Sequence, residues 1–258
     1  MMVDMQATAT WLGEHAVMVS VGTLILAWGL TAGLWQIGVG EGARARRQVV
    51  YWGAAGGAAA LFAALAFLVS RDSSITAFDD TLAATLRVAL PVAVLQIASV
   101  VTHLGDRQLL TVIAVAVAAL FLWRRQWWWA LAWVAATAGG GVINRVLKLT
   151  FERMRPEFVH TLSDASGWSF PSGHASAAMA IYGMGAYFAL RLVAPSRRLA
   201  VLLAAATLVV VVGITRIMLQ VHFASDVLAG WAITSVWLAL CIAALEAIER
   251  RAVAARAL

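Results

Sequence analysis

The sequence predicts an all-α protein: a polytopic transmembrane helical bundle of about six to seven spans, with a helical segment lying on its outer interface. Three observations carry that expectation. First, 62% of the 258 residues are hydrophobic and only 12% are charged, whereas soluble domains carry about 25% charged residues. Such a chain cannot cover itself with polar surface. Second, apolar runs near the ~20 residues that a helix needs to cross ~30 Å of hydrocarbon recur along it. Third, arginines gather in short clusters between these runs, the pattern that orients spans with positive charge in the cytoplasm. The net charge of +6 and isoelectric point near 10.6 therefore reflect topology, and nucleic acid is not an expected partner.

The whole of 1–258 reads as one membrane domain, with N-terminal spans in 1–71, an interfacial helical segment in 72–106 and a helical core in 107–246. Spans are expected at roughly 16–38, 49–70, 107–123, 127–147, 173–192, 199–219 and 224–246, the third being short. Arg44, Arg46 and Arg47 follow the first span, and Arg124 and Arg125 the third. Arg191, Arg197 and Arg198 follow the fifth, and Arg250, Arg251 and Arg256 the seventh. All four clusters then share one side, the cytoplasmic one, and the N-terminus lies outside. Only Asp4 and Glu14 precede the first run, so no cleaved signal is expected. In 72–106, Asp72, Asp79, Asp80, Arg87, Pro91 and Gln96 interrupt the apolar residues, so an interfacial helix or helical pair is expected. An eighth crossing at 88–102 would be short and would split the arginine clusters between two sides.

Further residues fit the same plan. Trp127, Trp128 and Trp129 beside Arg124 and Arg125 suit an aromatic belt. Gly53, Gly56 and Gly57, and Gly139, Gly140 and Gly141, are expected at close helix contacts. The lone cysteine, Cys241, excludes an intrachain disulfide and a cysteine zinc site.

Three polar islands sit between the later spans, where unpaired polar groups are costly. In the first, Lys148 and Arg155 are nearly two helical turns apart, which predicts one shared face of a helix ended by Pro156. Such cations suit phosphate, and equally suit snorkelling at a span end. In the second, Ser172 is a natural N-cap, Gly173 permits close approach to the backbone, and His174 falls in the first turn of the next span. In the third, Arg216 ends a span, while His222 and Asp226 stand four apart. A carboxylate on one imidazole nitrogen fixes the tautomer and leaves the other basic, as a nucleophile requires. Each island alone also reads as ordinary helix-end chemistry. Together they supply a nucleophile with its orienter, a second histidine, three cations and a helix N-terminus. Arg153 and His160 are candidates for a second phosphate contact, with a solvated loop role as the alternative. Glu152, Glu157, Asp164 and Asp226 are candidate partners for the cations.

These residues resemble the signature motifs of the type 2 phosphatidic acid phosphatase superfamily. The family pattern is K-x6-RP, then PSGH, then SR-x5-H-x3-D. This chain reads KLTFERMRP, FPSGH and TRIMLQVHFASD, with Thr215 where the family has serine. The resemblance spans 148–226 closely, and implies an extra first span ahead of the usual six. It implies a membrane phosphatase that needs no metal or cofactor and works through a phosphohistidine. By that resemblance His222 attacks phosphorus, Asp226 orients it and His174 protonates the leaving oxygen. Lys148, Arg155, Arg216, Ser172 and the Gly173 backbone hold the phosphoryl oxygens. The substrate would be a membrane lipid phosphate or pyrophosphate: undecaprenyl pyrophosphate, phosphatidylglycerol phosphate or phosphatidic acid. The site would face outward from the inner membrane. Transfer to a lipid or sugar acceptor instead of water is the alternative chemistry. A transporter would need polar groups along a path at mid-membrane depth.

Overall fold

The computed structural model describes residues 2–37, 43–157 and 166–256, and His160 and Asp164 lie outside them. Among the described residues every regular element is helical. They are α1 (Met2–Glu14), α2 (Ala16–Ile37), α3 (Ala43–Ser70), α4 (Ser74–Ala89), α5 (Val92–Val101), α6 (Arg107–Trp123), α7 (Trp127–Phe151), α8 (residues 173–192), α9 (Arg198–Met218) and α10 (Ala224–Arg256). Among the described residues, six stretches are long and apolar enough to cross a membrane: Ala16–Ile37, Gln48–Ser70, Val92–Trp123, Trp127–Phe151, Pro195–Met218 and Ala224–Ala255. The chain is a multi-pass membrane protein.

The expected span 173–192 falls outside that set for a physical reason. It is a continuous helix, but it runs through the bundle interior, flanked by α6, α7, α9 and α10. Ala175, Ala178, Met184 and Phe188 along it are buried. A helix enclosed by protein needs small residues for close packing more than it needs an apolar surface. Gly183 is one: a Cβ there would lie 2.9 Å from Leu238 Cδ1. Both central helices contain one wide π turn, Ala135–Gly139 in α7 and Met179–Gly183 in α8. Such turns disturb the regular hydrogen-bond ladder. Trp237 Nε1 donates to the Ala135 carbonyl at 2.9 Å.

The N-terminal half clads this core. Trp28 Nε1 on α2 donates to Thr207 Oγ1 on α9 at 2.9 Å. The Tyr51 hydroxyl on α3 donates to the Ala239 carbonyl on α10. Helix α1 packs along α4, burying Ala9 in a cluster with Leu82 and Leu86. Gly13 allows that approach, since a Cβ would lie 2.6 Å from Thr85 Cγ2. Sequence periodicity does not identify α1 as an element. The segment 72–106 divides in two. Helix α4 is amphipathic, with Ser73 as its N-cap and Asp79, Leu82 and Leu86 buried. Helix α5 is apolar and belongs to the run Val92–Trp123, which extended backbone at Asp106 interrupts.

The glycine expectation needs correction. Gly139 does meet a partner, as a Cβ there would lie 2.8 Å from the Trp237 ring, and Gly140 makes ordinary contacts. A Cβ at Gly53, Gly56, Gly57 or Gly141 would have no neighbour within 4 Å. Those four face away from the neighbouring helices, so composition alone misplaced them.

Alternation of the helices puts two kinds of chemistry at opposite ends of the bundle. Arg124 and Arg125 close α6, Arg191 closes α8, and Arg197 and Arg198 open α9. At that end Arg191 makes a paired contact with Glu249, both distances 2.7 Å, and Trp129 Nε1 donates to the same carboxylate at 2.9 Å. Trp127 and Trp128 are exposed there. The ends of α7 and α9 and the starts of α8 and α10 meet at the other end, with α1 and α4 beside them.

Candidate active site

Each candidate residue stands at a helix end whose local chemistry fixes it. Ser172 is the N-cap of α8, and its hydroxyl accepts from Ala175 N at 3.4 Å. Its own N–H donates to the Asp226 carbonyl at 2.9 Å, tying the start of α8 to the start of α10. A Cβ at Gly173 would make ordinary contacts with Asn144 Oδ1 at 3.6 Å and Lys148 Cε at 3.9 Å. After α9, Val221 N and His222 N both donate to the Arg216 carbonyl, at 3.2 and 3.3 Å. Gln220 supplies the left-handed turn this requires, with φ of 55°, and its amide donates to Ala83 O at 2.8 Å.

The expected helix through Lys148 and Arg155 is not formed. Helix α7 ends at Phe151, and Glu152 takes a left-handed φ of 44°. The chain then has no regular structure through Pro156, and Arg153 turns inward to buried carboxylates. The two cations still converge: Lys148 Nζ donates to Trp168 O and, at 3.3 Å, to Ser169 O. Arg155 donates to Gly167 O at 2.9 Å, Ser166 O at 3.0 Å and Trp168 O at 3.5 Å.

The third island closes on the first. His222 is buried, with Nδ1 3.4 Å from Asp226 Oδ2 and Nε2 3.2 Å from the Arg155 guanidinium. Arg155 also donates to the Val221 carbonyl. Asp226 Oδ2 accepts from Phe223 N at 3.0 Å, which holds the carboxylate against the turn. Arg216 donates to Thr102 Oγ1 at 2.7 Å. His174 Nε2 lies 3.0 Å from Asp106 Oδ1. Asn144 is buried and donates to Ser176 Oγ at 3.1 Å and Pro171 O at 3.3 Å. It pins the start of α8 to α7.

Arg153 takes neither part that the sequence suggested for it, phosphate contact or solvated loop residue. It bridges Asp226 Oδ1 at 2.7 Å and Asp79 Oδ2 at 2.9 Å, and stacks 4.2 Å over the Phe223 ring. Sequence reasoning missed Asp79, Thr102 and Asp106 as site residues. Asp79, from α4, also accepts from Ser225 N at 3.3 Å and from the Ser225 hydroxyl. Asp106 and Thr102 reach His174 and Arg216 from the turn between α5 and α6. Of the acids expected to balance the cations, Asp226 does so through Arg153, while Glu152 and Glu157 are exposed. No spacing rule links Asp79 or Asp106 to the later motifs, because the contact is purely tertiary.

Burial sets the electrostatics. It pushes the His222 imidazole well below its ordinary range, and the nearby Arg155, Lys148 and Arg216 charges push the same way. That direction favours the neutral imidazole, whose Nε2 lone pair faces the Arg155 guanidinium. Burial also lowers Arg155, opposed by Asp226. Asp79 is raised by burial, opposed by Arg153. With Arg153 occupied by two carboxylates, Lys148, Arg155 and Arg216 remain as charge directed at the site. A cleft of ≈ 740 Å³ lies beside it, lined among others by Ser70, Thr150, Met154, Arg155 and Phe223.

Fold and site together define a multi-pass helical membrane protein with two imidazoles and a group of cations gathered at one end. The PAP2 superfamily model matches residues 127–250, which hold both histidines of the site. Phosphatidylglycerophosphatase B of Bacillus subtilis (strain 168) is 35% identical over 136 residues. That match covers 52% of this chain and 66% of the relative, just under two thirds of its length. The crystal structure of a transmembrane PAP2 type phosphatidylglycerolphosphate phosphatase from Bacillus subtilis is similar, with a TM-score of 0.67 and 26% identity. It covers 74% of this chain and 96% of that one.

Proposed function

We propose that the chain is a lipid phosphatase that forms a phosphohistidine on His222 and hydrolyses a phosphomonoester or pyrophosphate of a membrane lipid. The observation that carries this is His222 itself: buried, neutral, with Asp226 at one nitrogen and the Arg155 guanidinium at the other. Asp226 accepts a hydrogen bond from Nδ1–H, so the lone pair is on Nε2, where Arg155 would hold a phosphoryl oxygen. Nε2 attacks phosphorus as the P–O bond to the lipid breaks, and His174 gives its proton to the leaving oxygen. Water then attacks the phosphohistidine, its proton passes to His174, and the P–N bond breaks to release phosphate. Lys148, Arg155 and Arg216 stabilise the equatorial oxygens through both steps, with Ser172 and the Gly173 N–H at the N-terminus of α8. The similar Bacillus subtilis proteins favour phosphatidylglycerol phosphate as substrate, with undecaprenyl pyrophosphate and phosphatidic acid as the other members of the class.

The basic clusters at the opposite end favour a site on the outer face of the inner membrane by the positive-inside rule. The gathering of the polar islands at one end of the bundle disfavours a transporter, which would spread them along a path at mid-depth. The test is phosphate release from these three lipids in detergent micelles, with EDTA present and no acceptor other than water. Release is expected from at least one lipid, and His222→Ala should abolish it. Full turnover by His222→Ala would remove the mechanism, and a requirement for an added acceptor would indicate phosphotransfer.

A further inference from the structure

Asp106 occupies the N-cap position of α6, where an aspartate normally accepts a backbone N–H of its own helix. Here its side chain makes no such bond. One oxygen faces His174 Nε2 at 3.0 Å, and the other faces His103 Nδ1. The carboxylate has been withdrawn from capping and given to two imidazoles.

The turn that carries it is built into the site wall from three directions. Thr102 accepts from Arg216 on α9, and the Leu104 carbonyl accepts from the Tyr182 hydroxyl on α8 at 2.6 Å. Gly105 lies so close to α8 and α9 that a Cβ would fall 3.1 Å from His174 Cδ2 and 2.5 Å from Val212 Cγ1. A side chain at 105 would push Asp106 away from His174. His103, on the outer side, is largely exposed and holds the second carboxylate oxygen. Arg216 and Arg155 are the cations near His174, and Arg216 donates to the neutral Thr102 hydroxyl.

We infer that Asp106 is a positioning residue for His174: it accepts a hydrogen bond from Nε2–H and so directs the Nδ1–H of the protonated ring at the leaving oxygen of the substrate. This rests on the phosphatase reading above and assigns a residue to its acid step. As the lipid P–O bond breaks and the His222 Nε2–P bond forms, the Nδ1 proton moves to the lipid oxygen. The imidazole left behind keeps its Nε2–H, still hydrogen-bonded to Asp106, and Nδ1 takes a proton back from the attacking water. Asp106 itself is never protonated. Asp226 and Asp106 thus play the same part for two histidines with opposite duties.

The inference predicts that loss of Asp106 is felt in proportion to how badly the leaving group needs a proton. The experiment compares Asp106→Asn with the unaltered full chain in detergent, reading kcat/KM on a lipid phosphomonoester and on 4-nitrophenyl phosphate. General acid help is worth roughly 10²–10⁴-fold on a poor leaving group. Asp106→Asn is expected to lose about 10²-fold on the alkyl phosphate and less than about 10-fold on the nitrophenyl ester. Orthovanadate inhibition should be retained within a few fold, which reports an intact phosphate cradle. Asp106→Glu, which keeps a carboxylate, should recover part of the alkyl phosphate loss. Equal losses on the two substrates, or no loss on either, would overturn the assignment. If Asp106→Asn does not fold, Gly105→Ala is read in the same way, with the same selective loss expected and equal losses counting against it. Failure here is separable from failure of the phosphatase reading, which His222→Ala tests on the unaltered chain's own activity.

Discussion

His222 is the residue on which acid sensitivity should centre. Its imidazole is held well below the usual value by burial and by Arg155, Lys148 and Arg216. The folded state therefore resists a proton that the unfolded chain accepts near pH 6.5. The sign follows: the stabilising contribution is present above that pH and is lost as pH falls through it, by up to about 1.4 kcal/mol per pH unit. In activity, the acid limb of kcat/KM set by the nucleophile should lie well below 6.5. A pH–rate profile between pH 4 and 8 checks this, together with thermal midpoints of the protein and of His222→Gln at pH 5 and 7.5. The midpoint of His222→Gln should fall less on acidification. An acid limb at or above 6.5 would contradict a buried neutral imidazole. Lys148 and the motif residues around it were legible at this scale, because each motif is a set of residue types whose chemistry does not depend on distant partners. Asp106 and the bridging part of Arg153 were not, because an aspartate before a helix and an arginine in a loop have common local explanations.

Between elements, Arg153 makes a buried polar tie. Asp79 on α4 and Asp226 on α10 are both buried, and both reach the same guanidinium. Removing one partner of a buried pair typically costs 3–5 kcal/mol, since the other charge stays buried. Arg153→Ala strands two carboxylates, so it should destabilise by at least about 3 kcal/mol and loosen α4 from the start of α10. Thermal unfolding in detergent measures the first effect, and proteolysis or hydrogen exchange at α4 the second. Arg153→Ala combined with Asp79→Asn should regain part of the loss, because one stranded charge is removed. An unchanged midpoint for Arg153→Ala would mean that the tie contributes nothing. The elements were largely readable in advance, from run length and from caps such as Ser172. Misplacements came where packing decided. Helix α7 stops at Glu152 because Arg153 is drawn to carboxylates from α4 and α10, which no local signal encodes. Gly53, Gly56 and Gly57 of α3 face away from every neighbour, while Gly105 and Gly213 meet α8 and Trp231 closely.

For the whole molecule, the bundle separates two chemistries by its full length. Arg71 follows α3 at the end that holds the candidate site, and Arg197 opens α9 at the other. In intact cells or oriented spheroplasts, a single cysteine at Arg71→Cys should react with an impermeant maleimide from outside. One at Arg197→Cys should react only after permeabilisation. Both are placed in a Cys241→Ser background, which removes the buried native thiol. Labelling of both from the same side would end the proposed orientation. Three things could be read in one dimension: that this chain crosses a membrane several times, which end carries the basic clusters, and that Lys148, Arg155, Ser172, His174, Arg216, His222 and Asp226 belong together. Hydropathy, charge placement and motif chemistry are local quantities, so the order of residues preserves them. Folding in three dimensions settled the rest: α8 is the enclosed centre, α1 lies on α4, Asp79 is tied to Asp226 through Arg153, and Asp106 faces His174. Those outcomes depend on which faces meet when helices far apart in the chain pack together, and no local pattern records that.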